Sequence, residues 1–174
     1  MRVFLLPLFM FIFFVSQSVA VELIPQSFWL DSLYYIPHWT LIFAILIVTF
    51  YDREHSYVGL INGLAFAFLT DLVYTNILGV YFLAYGLALY MVHVLKRYLH
   101  KNLLVVLLFS ILGLAAAEVL IYSLYFIIGQ VDLSFNAYLI NRLIPTLLIN
   151  ILFLFIIYPI FIKKLVKWKY ELEK

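Results

Sequence analysis

Cysteine is absent from the 174 residues, and charged residues make up only 11% of them. Without thiols there is no disulfide, no thiolate nucleophile, no lipidated cysteine and no thiolate metal site. The scarcity of charge restricts the chain further. No polar stretch is long enough to enclose a core of its own, which excludes a separate catalytic or receptor domain outside a bilayer. GxSxG, HExxH and glycine-rich phosphate loops are also missing. The four histidines, His38, His55, His93 and His100, fall near the ends of apolar runs without ligand spacing. No catalytic residue, metal site or cofactor is therefore expected, and basic residues that merely border apolar runs do not support nucleic-acid binding. What fills the chain instead is apolar: 67% hydrophobic residues and a mean hydropathy of +1.12, against about 45–50% apolar residues in a soluble domain. That is the composition of an all-α integral membrane protein.

Apolar runs at about 3–20, 38–51, 57–75, 77–95, 103–128 and 141–162 predict six transmembrane helices in a single polytopic domain. The first run ends on Ser18, Val19 and Ala20, which also fit a signal-peptidase site. Its length and the Ser16–Ala20 small pair favour a retained helix. Val21 to Pro37 lacks Lys and Arg and carries Phe28, Trp29, Tyr34 and Tyr35, as an external loop at headgroup depth would. If the six helices alternate, Arg142 stands alone on one side out of the 11 Lys and Arg. The positive-inside rule then places both termini in the cytoplasm. The basic tail, Lys163 to Lys169, reads as a topology anchor drawn to anionic membrane lipids.

The stretch Ser56–Val80 carries the most specific pattern. Gly59, Gly63, Ala67 and Asp71 stand four apart and form one ridge on a helix, three small positions followed by an acid. Together with Gly79 in the next run, these small residues are candidate helix-packing or partner-seam positions, since helices in lipid associate through close approach and polar contacts. On this reading the chain is organised around the third helix.

Asp71 lies roughly 20 Å above the start of its helix, and Glu118, counted from Leu103, at about the same height. Arg142, Thr146 and Asn150 form a second ridge, polar where the first is small. These five residues make a candidate outer-leaflet polar cluster. Helices three and six are expected to face each other with Asp71 pairing Arg142, because an unpaired charge in lipid is costly. Glu118 has no evident partner. It reads either as a ligand or proton site in an external cavity or as a carboxylate held by Tyr122 or Asn150 to fix packing. A bend near Pro145 would free backbone carbonyls beside Arg142.

The run Gly59, Gly63, Ala67, Asp71, followed by Leu78 and Gly79, resembles the signature helix of the rod shape-determining protein MreD family. Pro37, His38 and Trp39 at the start of the second helix are similar to the family's Pro-x-x motif, and RLIPTLLIN, Arg142 to Asn150, to its final-helix motif. The resemblance covers roughly Pro37 to Pro159; Ala67 departs from it, standing where the family often has glycine. It implies a non-enzymatic component of the bacterial cell-elongation machinery in the cytoplasmic (inner) membrane. Such a component would bind MreC, near MreB filaments and the RodA transglycosylase with its class B penicillin-binding protein, and support peptidoglycan synthesis. The family is also similar in fold to the substrate-binding S-components of energy-coupling factor vitamin transporters. That likeness implies an alternative in which Asp71, Glu118, Arg142 and Asn150 line an external small-molecule cavity.

Overall fold

The structure, a computed structural model, describes residues 4–23 and 33–171. Those residues are helical apart from their connections, in six helices: α1 (Leu5–Leu23), α2 (Trp39–Tyr51), α3 (Val58–Tyr74), α4 (Val80–Leu95), α5 (Leu103–Ile127) and α6 (Phe135–Glu171). By length and composition α1, α5 and α6 are each able to cross a membrane, while α2, α3 and α4 are equally apolar but shorter. Phe28, Trp29 and most of the expected external loop lie outside the described residues.

The centre of the bundle is α2, not α3. Every residue from Thr40 to Tyr51 is buried, and α2 touches all five other helices. A helix apolar on all sides can satisfy itself only by being surrounded. The periodic ridge on α3 marks a helix with one buried face, so it drew attention to a wall of the bundle. On one flank of α2, Phe9 and Phe13 of α1 meet Phe43 of α2 and Phe161 of α6, mostly edge to face, with centroids 4.9–6.3 Å apart. Trp39 stacks on Phe153 at 4.7 Å.

Thirteen residues of α2 rise about 20 Å, short of the ~30 Å hydrocarbon layer. The extended segment 33–38, which runs alongside α6, precedes α2. The last turn of α2 is wide, with Asp52 N–H donating to Ile47 O at 3.0 Å.

Two helices begin and end away from their expected positions for local reasons. Gly79, at φ +98°, makes the left-handed turn that starts α4 at Val80 rather than at 77. α6 starts at Phe135, where Ser134 Oγ accepts from Ala137 N–H, and continues through Lys163–Lys169, good helix formers, well past 162.

Candidate functional site

The polar ridge of α6 holds the start of α2. An extended chain repeats every two residues, about 6.6 Å, and a helix turns in about four, about 6.0 Å, or in five through the wide turn at Leu139–Leu143, so alternate N–H groups of one can meet acceptors on successive turns of the other. The N–H groups of Tyr34, Ile36 and His38 donate in turn to Asn141 O (2.7 Å), Thr146 Oγ1 (3.1 Å) and Asn150 Oδ1 (2.7 Å). Asn150 Nδ2 returns a bond to Ile36 O at 2.8 Å. Pro37 has no N–H to satisfy and keeps Ile36 extended. Pro145 has none to offer the carbonyl four residues back, which is the Asn141 oxygen taken by Tyr34. Non-helical backbone packed against a helix bundle requires internal partners of this kind.

The segment so fixed delivers His38 to Glu118. His38 Nε2 lies 2.6 Å from Glu118 Oε1, and His38 Nδ1 lies 2.8 Å from the Tyr85 hydroxyl on α4. Glu118 Oε2 accepts from the Tyr138 hydroxyl and from Arg142 Nε, each at 3.0 Å. An ionised Glu118 only accepts, so His38 Nε2 is its donor and, in a neutral ring, Tyr85 donates to Nδ1. Glu118, His38, Tyr85 and Tyr138 are all at most 1% exposed, and Tyr122 stacks on Tyr138 at 4.1 Å. Arg142 alone reaches outward, its side chain 21% exposed. The result is a closed chain, Tyr85–His38–Glu118–Arg142/Tyr138, that ties the start of α2 to α4, α5 and α6.

Asp71 does not pair with Arg142. Its carboxylate accepts from the N–H groups of Gly79, Tyr81 and Phe82 at 2.9–3.0 Å, capping α4 from the end of α3. The first N–H groups of a helix are unsatisfied and electropositive, and glycine as N-cap has no side chain to help them. An acid one hairpin back meets that need, so Asp71 has no call on a cation. Arg142 takes Glu118 instead because α6 packs against α5 and α2, whereas α3 packs against α1, α2 and α4. Nor do Tyr122 or Asn150 hold Glu118: Tyr122 donates to Leu133 O, and the Asn150 amide is engaged by the 33–38 segment and by Thr146 O.

The small ridge of α3 faces its own bundle. A Cβ on Gly59 would stand 2.7 Å from Val48 Cγ2 and the Val48 backbone nitrogen; one on Gly63 would run into Leu89 and come 3.2 Å from Ala44 Cβ. Gly59, Gly63, Ala67 and Asp71 are all buried. Gly79 has open space beyond it and serves the turn rather than a seam.

Sequence reasoning set His38 aside and did not single out Tyr85 or Tyr138; nothing in their spacing links them to Glu118 across up to 80 residues. A cavity of about 490 Å³ adjoins this network, lined in part by Gln17, Pro37, His38, Thr70, Tyr81 and Tyr85. No group of three or more histidine or acidic side chains among the described residues is placed to hold a metal ion.

At the other end of the bundle, Asp52 and Lys96 are both buried. Both Asp52 oxygens accept from Gly59 N–H (2.9 and 3.1 Å), and Lys96 Nζ donates to the carbonyls of Val48, Asp52 and Arg53 (3.0–3.3 Å). Burial raises the Asp52 carboxyl to about 6, against the lowering effect of Gly59 N–H and Lys96, and lowers the Lys96 ammonium to about 8.

Comparison with known proteins identifies the family. The family model of the rod shape-determining protein MreD matches residues 2–168. The rod shape-determining protein MreD of Bacillus subtilis (strain 168) is 30% identical over 151 residues, 87% of this chain and 86% of that protein. No solved structure matches. A match from end to end, over a helical bundle whose final-helix ridge and α3–α4 turn are the structural elements described above, means that this chain belongs to the MreD family of rod shape-determining proteins.

Proposed function

We propose that the chain is a non-enzymatic scaffold of the bacterial cell-elongation machinery. It would sit in the cytoplasmic (inner) membrane with all six helices crossing and both termini in the cytoplasm, bind MreC directly, and work with MreB, RodA and a class B penicillin-binding protein in peptidoglycan synthesis. The observation that carries this reading is the family match over residues 2–168; a role in determining rod shape comes with the family, and the partners are the proposal. The geometry supports it in one respect. Glu118, Asp71, Thr146 and Asn150 are all engaged inside the bundle, and what the helices turn outward is apolar: Ile61 and Leu72 on α3, Phe82 and Leu87 on α4, Leu148 and Leu152 on α6. Faces of that kind meet lipid or another transmembrane helix. The shorter α2, α3 and α4 would be accommodated by local thinning of the bilayer and by the 33–38 segment.

A second reading, a small-molecule-binding subunit of an energy-coupling factor transporter, has a 490 Å³ cavity in its favour, one lined by His38 and Tyr81 and not by the expected Asp71, Glu118, Arg142 and Asn150. Affinity purification of the tagged protein from native membranes, with mass spectrometry of what accompanies it, separates the two. MreC with elongation enzymes is the expected result. A transmembrane coupling protein with ATPase subunits, and no wall enzymes, would overturn the scaffold reading.

A further inference from the structure

At the end of the bundle opposite Arg142, the 52–57 and 96–102 connections meet the last turns of α6 around a cavity of about 290 Å³. Its lining is charged throughout: Lys96, Arg97, Lys101, Lys169 and Arg53, with Asp52 and Glu54. The five cations outnumber the two acids, and Asp52, which attracts Lys96 and Lys101, offsets only part of the positive charge. Asp52 gives both oxygens to Gly59 N–H, and Glu54 meets Arg97 through its backbone carbonyl (3.4 Å). Lys96 is clamped by three carbonyls, which fix its position and leave its charge in place. Among the described residues no hydrogen bond or close ion pair engages Lys101 or Lys169, and the two repel each other: burial and the nearby Lys169 hold the Lys101 ammonium below its usual range, against the raising effect of Asp52. A rigid buried cation beside two mutually repelling ones leaves positive charge in excess of what Asp52 offsets. Four cationic side chains converging on a cavity suit a phosphate group, which offers several acceptor oxygens at once. The surroundings are those of a lipid headgroup: Tyr98, Leu104 and Tyr170, on the same connections and turns, are 60–78% exposed.

We propose that this cavity is a specific phosphate-binding site that takes the headgroup of an anionic glycerophospholipid through Lys96, Arg97, Lys101 and Lys169. This goes beyond a diffuse attraction of the basic tail to the membrane and does not depend on which partner the scaffold binds.

The test uses the full-length protein in neutral detergent. Thermal unfolding and native mass spectrometry are followed with added phosphatidylglycerol, phosphatidylcholine or inorganic phosphate, for wild type, for Lys101→Gln/Lys169→Gln, and for Lys163→Gln/Lys164→Gln as a control of equal charge change on α6. Phosphatidylglycerol is expected to bind and raise the unfolding temperature of the wild type, phosphatidylcholine to do neither. The Lys101/Lys169 variant should bind about thirty-fold more weakly, from the contribution of two basic residues near an anionic headgroup, while the Lys163/Lys164 variant stays close to wild type. Without lipid, the Lys101/Lys169 variant should unfold no lower than wild type, since a repulsion has been removed. Stabilisation by phosphatidylglycerol alone assigns the lipid as source; equal stabilisation by millimolar inorganic phosphate, lost in the same variant, assigns a free phosphate to the same site. An equal loss of binding in both double variants, or no anion effect on the wild type, overturns the proposal.

Discussion

Replacing Glu118 by Gln tests whether the bundle is held by a charged network or by ordinary interhelical hydrogen bonds. Glu118 is fully buried and accepts from His38, Tyr138 and Arg142 at 2.6–3.0 Å. Gln keeps the shape and one acceptor oxygen but turns an NH₂ toward a ring of donors and removes the charge opposite Arg142. Breaking one partner from a buried pair costs about 3–5 kcal/mol, because the other charge is left unpaired. Glu118→Gln and Arg142→Gln are each expected to lose about 3 kcal/mol, the arginine somewhat less because it is partly exposed. The double variant faces amide to amide, so the combined loss should fall short of the sum by about 2 kcal/mol. Neutral hydrogen bonds between membrane helices average only about 0.6 kcal/mol of coupling, so the size of the coupling decides between the two accounts. Reversible unfolding in mixed micelles, by sodium dodecyl sulfate titration of the four proteins, measures it. Additivity within about 0.5 kcal/mol would refute the network.

Four further outcomes follow from the same geometry. Asp71→Ala, which orphans three N–H groups at the start of α4, should lose about 2 kcal/mol, and exchanging the charges of Asp71 and Arg142 should rescue nothing; recovery in the exchanged protein would restore the discarded pair. Gly63→Leu should destabilise by at least 1–3 kcal/mol through its clash with Leu89 and Ala44 without impairing membrane insertion, whereas Ile61→Leu, exposed on the same helix, should be close to neutral; both are read by thermal unfolding in detergent. Asn150→Leu leaves His38 N–H and Ile36 O unpaired and should cost about 2–4 kcal/mol, with faster amide exchange at Ile36 and His38; unchanged exchange there would count against the clamp. Asp52, raised from 3.8 to about 6, binds its proton more tightly folded than unfolded, so its contribution is fully present below about pH 4 and lost as pH rises through 6, a change of about 3 kcal/mol. The stability of wild type relative to Asp52→Asn should therefore fall between pH 4 and 7; a pH-independent difference would contradict that sign.

What the sequence made legible, and what it hid, divides along a physical line. Apolar runs, the α3 ridge and the 142–146–150 ridge are local periodicities, and each corresponds to a helix or a helix face in the structure. Partners are not local. Asp71 has a carboxylate's need for donors, but whether an arginine or a helix N-terminus meets it depends on the Thr75–Gly79 turn, and the turn decides it by presenting three N–H groups within reach. The polar ridge of α6 is readable as a ridge, and its periodicity alone suggests one half of a helix pair. Arg142 does pair with a helix, through Glu118 on α5, but Thr146 and Asn150 meet an extended segment. Two extended residues span nearly the same distance as one helical turn, so acceptors on successive turns of an apolar helix, here at 141, 146 and 150, can serve a non-helical strand as well as a second helix. The clue lay in Ile36–Pro37–His38: a proline that forbids helix before it, at the start of an apolar run too short to cross a bilayer. A short run preceded by such a proline, with a polar ridge elsewhere in the chain, predicts that ridge and segment meet; His38 is then carried inward on the segment and needs buried hydrogen-bond partners, which Glu118 and Tyr85 supply.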